Sequence, residues 1–284
     1  MLEMKPSLRE EWPLCKDLWK TAFGDDDAYI DNYYNNYYRP ERVVTLKDDG
    51  VLCGMLALFP LELRWPDGGV TRASYLYALA IHPEFQGQGL GTFLLRYADF
   101  YVGEQAVPFL STVPARPGLE RFFAAAGAFQ PCHPIDEATV DAPAPGPVPA
   151  QPVSAAQYRE TREALLAGTG HAVYSEDYLA YQQTVSALAG GGLFKMDTPK
   201  GPACAVAELD GDRLDVRELL SPAGEQLAAL AALTARFPVR SCRVRCPAGW
   251  GELPGAARRT FGMGKRVPPT PKILGETYFG LAFD

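Results

Sequence analysis

A glycine-rich turn lies between an apolar run and an amphipathic run in the first third of the chain. Residues 79–81 end a stretch of buried-strand character, and Gly87, Gly89 and Gly91 follow closely. Apolar residues then recur at helical spacing over residues 93–101. The start of a helix exposes unpaired N–H groups and the positive end of the helix dipole, and glycines let the main chain approach phosphate oxygens. The pattern therefore predicts a strand, a phosphate-binding loop and a helix.

Two other glycine motifs fit this turn less well. A nucleoside-triphosphate loop requires Gly-Lys-Ser/Thr, whereas Gly91 is followed by Thr92 and Phe93. A dinucleotide fingerprint requires a third glycine where Thr92 stands, and it also requires an acidic residue at the end of a second strand, which is absent from the expected window. A tight turn with no ligand remains the structural alternative.

The spacing Gln-x-x-Gly-x-Gly from Gln86 to Gly91 resembles the acyl-CoA pyrophosphate loop of the GNAT acetyltransferase superfamily. The flanks have the order of that family, because a strand precedes the loop and a helix, a short strand and a second helix ended by Gly127 follow it. The resemblance covers most of residues 1–141.

A proline-dense segment divides the chain. Residues 142–153 cannot form a helix or an interior strand, so they are interpreted as a semi-rigid linker. The strand and helix order of the first half recurs weakly after it. We therefore predict an α/β fold with a mixed sheet, in which a GNAT-like domain at 1–141 precedes a degenerate GNAT-like domain at 154–284. The predicted helices are 8–23, 28–38 and 224–237, and the predicted strands are 42–46, 52–63, 71–81, 107–113, 193–196, 203–209, 213–220 and 241–246.

The second half lacks an equivalent phosphate loop. Pro222 stands there without an N–H group, and Glu225 brings a negative charge to the helix start. We therefore expect CoA to bind only in the first half. Tandem GNAT proteins with one decayed half are similar in layout, and so are the larger aminoglycoside acetyltransferases of the enhanced-intracellular-survival type.

Composition narrows the class of protein. The chain has 284 residues, of which 47% are hydrophobic, and this suits two modest domains. It contains no membrane-length apolar run, no signal peptide and no zinc spacing among its six cysteines, so a cytoplasmic protein with reduced thiols and no bound metal is expected. A net charge of −7 argues against a nucleic-acid partner and mildly favours a cationic small substrate. The oligomeric state is left open.

The resemblance implies that acetyl-CoA is the co-substrate and that its pantetheine arm lies between two strands that splay apart. A backbone N–H near Ile81 could polarise the thioester carbonyl. For Leu79 and Ile81, ordinary core packing is the alternative. The residues expected to contact acetyl-CoA are Leu79, Ala80, Ile81, Gln86, Gly87, Gln88, Gly89, Leu90, Gly91, Thr92, Ser111, Thr112 and Phe123.

No motif identifies the acid and base of the reaction. The tyrosine that family members often carry four residues before the closing glycine is Phe123 here, and an asparagine seven residues earlier is Arg116. Tyr75 and Tyr77 share one face of the predicted strand and could donate a proton, as could Glu120 on the next helix. Packing or surface solubility is the alternative role for each of the three.

The carboxy-terminal run, 276–284, is apolar and predicts a buried strand that completes the second half's sheet. In the related survival-type architecture a terminal carboxylate approaches the active site, so Asp284 is a candidate proton acceptor. An aromatic run near Asp25 could form the acceptor wall or a core face. This run comprises Tyr29, Tyr33, Tyr34, Tyr37 and Tyr38.

The leading hypothesis is an acyl-CoA-dependent N-acyltransferase that acts on a primary amine of a small molecule or peptide. The alternative is a non-catalytic acyl-CoA-binding or regulatory protein, because Phe123 replaces the usual tyrosine. A peptidoglycan-type aminoacyl transferase is a third possibility, although that class does not need the phosphate loop.

Overall fold

The computed structural model describes residues 1–116, 118–268 and 275–283. None of the helices in these ranges is long and apolar enough to cross a membrane. The helices are α1 Trp12–Phe23, α2 Asp27–Asn36, α3 Leu90–Glu104, α4 Leu119–Gly127, α5 Ala155–Leu165, α6 Glu176–Leu188 and α7 Gln226–Arg236. The strands are β1 Leu2–Pro6, β2 Val43–Asp48, β3 Val51–Arg64, β4 Val70–Ile81, β5 Phe109–Thr112, β6 Gln130–Asp141, β7 Gln151–Pro152, β8 His171–Val173, β9 Gly192–Thr198, β10 Gly201–Asp210, β11 Arg213–Leu220, β12 Ser241–Pro247 and β13 Ala257–Arg266.

Every predicted helix and strand except the terminal strand occurs close to its expected bounds, but several observed elements showed no usable pattern in the sequence. Among the missed elements are α5, α6, β6 and β13. The start of α5 is set by a capping box, in which Ser154 and Gln157 bond to each other's backbone N–H groups. α5 is polar on average, and the buried side of α6 includes the polar residues Gln182 and Ser186, so neither helix is marked by a simple apolar period in the sequence.

The strands form one continuous mixed sheet in which the first half's arrangement is repeated. In the first half β2, β3 and β4 pair antiparallel, and β4 then runs parallel to β5 after α3. In the second half β9, β10 and β11 pair antiparallel, and β11 runs parallel to β12 after α7. The predicted α/β class with a mixed sheet is confirmed. The order across the sheet is β1-β2-β3-β4-β5-β13-β6-β12-β11-β10-β9-β7, and β8 pairs with β3 beside this path.

The two halves exchange their last strands. From the second half, β13 pairs with β5 of the first, and from the first half, β6 pairs with β12 of the second. The two exchanged strands also pair with each other. Each half therefore completes the other's sheet, and division of the chain into domains 1–141 and 154–284 stays a prediction about sequence repeats.

The proline-dense segment packs against α7. The Gly146 and Ala150 N–H groups each donate to carbonyls of that helix at 2.9 Å, and Ala150 is fully buried. Only Gln151–Pro152 joins the sheet, as its outermost strand. Proline is tolerated at an edge because no neighbouring strand needs its missing N–H.

The six cysteines are all buried and unpaired. Burial raises the pKa of the Cys15 thiol to about 12 and that of Cys242 to about 11. Such thiols stay protonated near neutral pH, so they are poor nucleophiles.

The predicted terminal strand at 276–284 is wrong, although the segment is buried as expected. Residues 275–283 are irregular, with one isolated bridge between Tyr278 and His171. Gly280 has a φ of 74°, which breaks the extended conformation. The Leu281 carbonyl instead accepts bonds from the hydroxyls of Tyr174 at 2.9 Å and Tyr178 at 3.2 Å.

A fully buried histidine connects this segment to the sheet. His133 on β6 bonds through Nε2 to the Ser111 hydroxyl at 2.9 Å. Its Nδ1 lies 2.9 Å from the Thr277 hydroxyl and 3.1 Å from the Thr277 carbonyl. Burial lowers the pKa of His133 to about 4, so the ring is neutral in the folded protein at neutral pH.

This histidine predicts a loss of stability in mild acid. An unfolded histidine binds a proton below about pH 6.5, whereas folded His133 does so only near its lowered pKa of about 4. The unfolded state therefore binds more protons between these values, and stability falls as the pH falls. From the two pKa values we expect the free energy of unfolding to fall by up to about 2 kcal/mol between pH 7 and pH 5.

Urea unfolding of wild type and His133→Gln at both pH values measures this contribution. The variant is expected to be less stable at neutral pH but to lose less stability on acidification. An equal pH dependence in the two proteins would show that other groups are responsible.

Candidate functional site

An opening in the sheet separates β4 from β5. The two strands pair from Ser74 to Leu76 on β4, and among the described residues nothing pairs with this edge of β4 beyond Leu76. A β-bulge lies in the unpaired part, because Ala78 and Leu79 together oppose a single residue of β3. Ala78 has a φ of 49°, an uncommon conformation for a residue with a side chain. The bulge bends the backbone of β4 beside the opening.

The glycine loop lies directly after β4 and leads into α3. Gly87 and Gly89 both have a φ of 77°, and Gly89 is the N-cap of α3. The Gln86 side-chain amide donates to the Ile81 carbonyl at 3.0 Å and ties the loop to the strand. Because the first N–H groups of a helix have no partner within it, this exposed turn presents donors to an anion.

Gly91 has a different role from the two loop glycines. A Cβ atom there would lie 3.2 Å from the ring of Phe122, so the glycine permits close packing of α3 against α4. The predicted strand, loop and helix order is confirmed. Phosphate binding by the loop stays a prediction.

A cavity of about 410 Å³, called the first cavity below, lies in the sheet opening. Strands β4 and β5 form two of its sides, and α4 and the carboxy-terminal segment contribute further walls. Most of its walls are apolar or aromatic, as is typical of a ligand site. Its lining comprises Phe23, Asp25, Tyr29, Tyr75, Leu76, Tyr77, Ala78, Leu79, Thr112, Val113, Ala115, Leu119, Phe122, Phe123 and Phe283.

The structure brings five of the candidate residues to this cavity and leaves others away from it. Tyr75, Tyr77, Leu79, Thr112 and Phe123 all line its walls. The loop residues 86–92 follow at the end of β4. The opening and the loop therefore form one continuous region.

Several candidates lie outside the cavity. The Ser111 hydroxyl is engaged by His133, and the Ser111 backbone pairs with strands on both sides. Glu120 is exposed and caps its own helix, because its carboxylate accepts the Gly118 N–H at 2.9 Å. Ala80 is buried and pairs with β3. Asp284 lies outside the described residues.

Two tyrosines that line the first cavity are hydrogen-bonded to each other. The Tyr77 and Tyr29 hydroxyls lie 2.8 Å apart, and both side chains line the cavity. The Tyr77 ring packs near Phe59 and Phe283, with centroids 5.4 Å and 5.6 Å away. This apolar environment raises the pKa of Tyr77 above its ordinary value, so its hydroxyl is protonated and able to donate.

The rest of the aromatic run on α2 forms core. Tyr33, Tyr34, Tyr37 and Tyr38 are buried in the cluster that also holds α6 and the carboxy-terminal segment. Tyr29 alone of this run lines the first cavity. The core interpretation therefore holds for four of the five tyrosines, while the acceptor role stays a prediction for Tyr29.

In the second half, a carboxylate already occupies the start of α7. Glu252 accepts the Gly224 N–H at 2.5 Å and the Gln226 N–H at 3.5 Å. Glu225 is buried beside it, and Lys200 lies 3.8 Å from that carboxylate. An anion would have to displace Glu252, which agrees with the absence of a phosphate loop there.

Among the residues that the sequence analysis missed are Phe283 of the first cavity and Glu252 at the start of α7. Phe283 reaches the first cavity because the carboxy-terminal segment is held by tyrosine hydroxyls far along the chain. Glu252 lies in a stretch without secondary structure. Burial of an apolar terminal run was the available signal for Phe283, and no sequence signal identified Glu252.

Comparison with known protein families gives a match to the first half of the chain. A family described as "Acetyltransferase (GNAT) domain" matches residues 3–124. No curated protein matches the chain.

Three solved structures illustrate the likeness of fold. A probable N-acyltransferase from Enterococcus faecalis is 15% identical, with a TM-score of 0.72 over 94% of this chain and 73% of that one. A GCN5-related N-acetyltransferase from Anabaena variabilis is 16% identical, with a TM-score of 0.70 over the same shares. Eis1 from Mycobacterium abscessus is 13% identical, with a TM-score of 0.66 over 94% of this chain and 74% of that one.

Proposed function

We propose that this chain, of which residues 3–124 match the acetyltransferase domain of the GNAT superfamily, is an acyltransferase of that superfamily and transfers an acyl group from acyl-CoA to a primary amine. The predicted tandem GNAT arrangement agrees with the repeated strand order. Acetyl-CoA is the donor we favour. The acceptor is a small molecule or peptide.

The sheet opening carries this proposal. The unpaired edge of β4 presents backbone groups to the first cavity, and the glycine loop lies at the end of the same strand. A pantetheine arm needs amide partners along an apolar slot, and a pyrophosphate needs N–H donors at one end of that slot. The opening offers the amide partners, and the loop at the end of β4 offers the N–H donors.

The transfer requires proton management as well as binding. The acceptor nitrogen must be neutral to attack the thioester carbonyl, so that a C–N bond forms and the C–S bond breaks. The departing thiolate takes a proton, for which the Tyr77 hydroxyl is our candidate donor, and the proton that the nitrogen loses as the amide forms restores that donor. The Tyr29 hydroxyl, 2.8 Å away, holds the Tyr77 hydroxyl in place through a hydrogen bond.

A non-catalytic acyl-CoA-binding protein is the second candidate. Phe123 lines the first cavity at the position where the resemblance leads one to expect a tyrosine. A phenylalanine cannot donate a proton there. In this alternative the protein would still bind acyl-CoA through the loop and the sheet opening, but it would not catalyse acyl transfer.

One experiment separates these functions. Calorimetric titration with acetyl-CoA is expected to give one site per chain, because Glu252 occupies the helix start of the second half. The same protein, incubated with acetyl-CoA and a panel of primary amines, should release CoA thiol with at least one amine. Two equivalent sites would contradict the asymmetry, and binding without release would favour the binding protein.

A further inference from the structure

A second cavity, of about 360 Å³, lies beside the first one. Tyr29 and Phe283 line both cavities, so the two cavities adjoin at these residues. The second half contributes Gln182 from α6, Glu208 from β10 and Arg217 from β11. A molecule that reaches the sheet opening from this side therefore passes residues of the second half.

A buried carboxylate and an unsatisfied amide mark this second cavity. Glu208 is 7% exposed and accepts bonds from the Ser186 hydroxyl at 2.9 Å and from Arg217 Nε at 2.8 Å. Gln182 is 2% exposed, and its Nε2 donates to Ser186 at 3.1 Å. Its Oε1 has no donor within the part of the chain that the structure describes. A buried acceptor without a donor is unfavourable, and a ligand that carries a donor would satisfy it.

The charged residues that line the second cavity indicate which kind of hydrogen-bond donor a ligand there would carry. Among the described residues that line it, Glu208 and Asp26 are acidic and Arg217 is basic. The remaining walls are largely apolar, with Val185 and Leu188 as examples. An ammonium group on an apolar chain matches this combination better than an anion or a neutral hydroxyl does.

An amine held beside Glu208 is not suited to be the nucleophile. A neighbouring carboxylate favours the protonated form of an amine, and an ammonium nitrogen has no lone pair with which to attack a carbonyl. The thioester instead belongs in the first cavity, where the sheet opens. Binding at Glu208 and reaction at the opening therefore require two different groups of the acceptor.

We propose that the acceptor is a small molecule with two amines, one that is acylated in the first cavity and one that is held as an ammonium by Glu208 and Gln182 in the second. This inference rests on the proposed function. It assigns the second half a direct part in acceptor selection, although that half presents no phosphate loop of its own.

The test compares α,ω-diaminoalkanes of three to six carbons with 1-aminoalkanes of the same length. We expect kcat/KM for the best diamine to exceed that of its matched monoamine by about tenfold or more, which is the gain of one charge-assisted hydrogen bond. Calorimetry on the CoA-loaded protein should show the same preference in Kd. The ratio of diamine to monoamine is the readout, because a general loss of activity cancels in it.

Glu208→Gln removes the charge and keeps the shape, and Gln182→Met removes the amide at similar length. Both are expected to bring the ratio close to one, mainly through KM. Asp215→Asn is the matched control, since Asp215 is also buried and paired with an arginine, at 3.1 Å, but lines neither cavity. It should leave the ratio as in wild type. Thermal unfolding checks that each variant is folded.

The outcomes distinguish a failure of the second amine site from a failure of the proposed acyl transfer. Equal kcat/KM and equal Kd for diamine and monoamine in wild type would overturn the second amine site while acyl transfer stands. An unchanged ratio in both Glu208→Gln and Gln182→Met would do the same. Preferential binding of the diamine without any CoA release would support the second site and contradict the transferase.

Discussion

Replacing Gly89 with glutamate is expected to abolish measurable acetyl-CoA binding while the protein stays folded. Gly89 is the N-cap of α3, where the helix N–H groups would meet the pyrophosphate. A carboxylate there opposes a like charge, and such a juxtaposition costs several kcal/mol, or about 100-fold or more in affinity. Calorimetry with acetyl-CoA measures the loss, and circular dichroism and thermal unfolding report the fold.

Two controls separate charge from backbone strain. Gly89 has a φ of 77°, so any side chain adds strain, and Gly89→Asn introduces a neutral residue that tolerates this conformation. It should weaken binding much less than glutamate does. Gly224→Glu places the same substitution before α7, where the φ is 84° and no ligand is expected. A folded Gly89→Glu protein with wild-type affinity would move the pyrophosphate site elsewhere.

Replacing Tyr77 with phenylalanine is expected to lower turnover by about 100-fold or more with nearly unchanged acetyl-CoA affinity. The ring and its packing remain, but the hydroxyl that bonds to Tyr29 is lost. Tyr77 is the first residue of β4 beyond its pairing with β5, so it stands where the sheet opens. Steady-state rates and calorimetry on the same preparation measure the two quantities.

Tyr75→Phe is the comparison, because Tyr75 lines the same cavity but still pairs with β5. We expect it to retain most of the turnover. Full activity in both single variants and in the double variant would exclude the two tyrosines. Asp284 or solvent would then be left to transfer the protons, whereas failure of the wild type with every amine would favour the binding-protein function.

Local pattern was enough to predict the strand, loop and helix around Gly89 and its decayed counterpart near Pro222. The reason is that glycine and proline act on the backbone where they stand, and a helix start presents its N–H groups whatever lies further along the chain. Hydrophobic periodicity likewise predicted the meanders of both halves. These features depend on neighbours in sequence.

The site itself depends on contacts between distant residues. The exchange of β6 and β13, the neutral His133 and the position of Phe283 all join segments more than a hundred residues apart along the chain. No local pattern around His133 indicates its role, because its partners are the Ser111 hydroxyl and the hydroxyl and carbonyl of Thr277, which lie elsewhere along the chain. Which residues face the two cavities is decided only when both halves complete one sheet, since burial is a property of the packed whole and not of any local stretch.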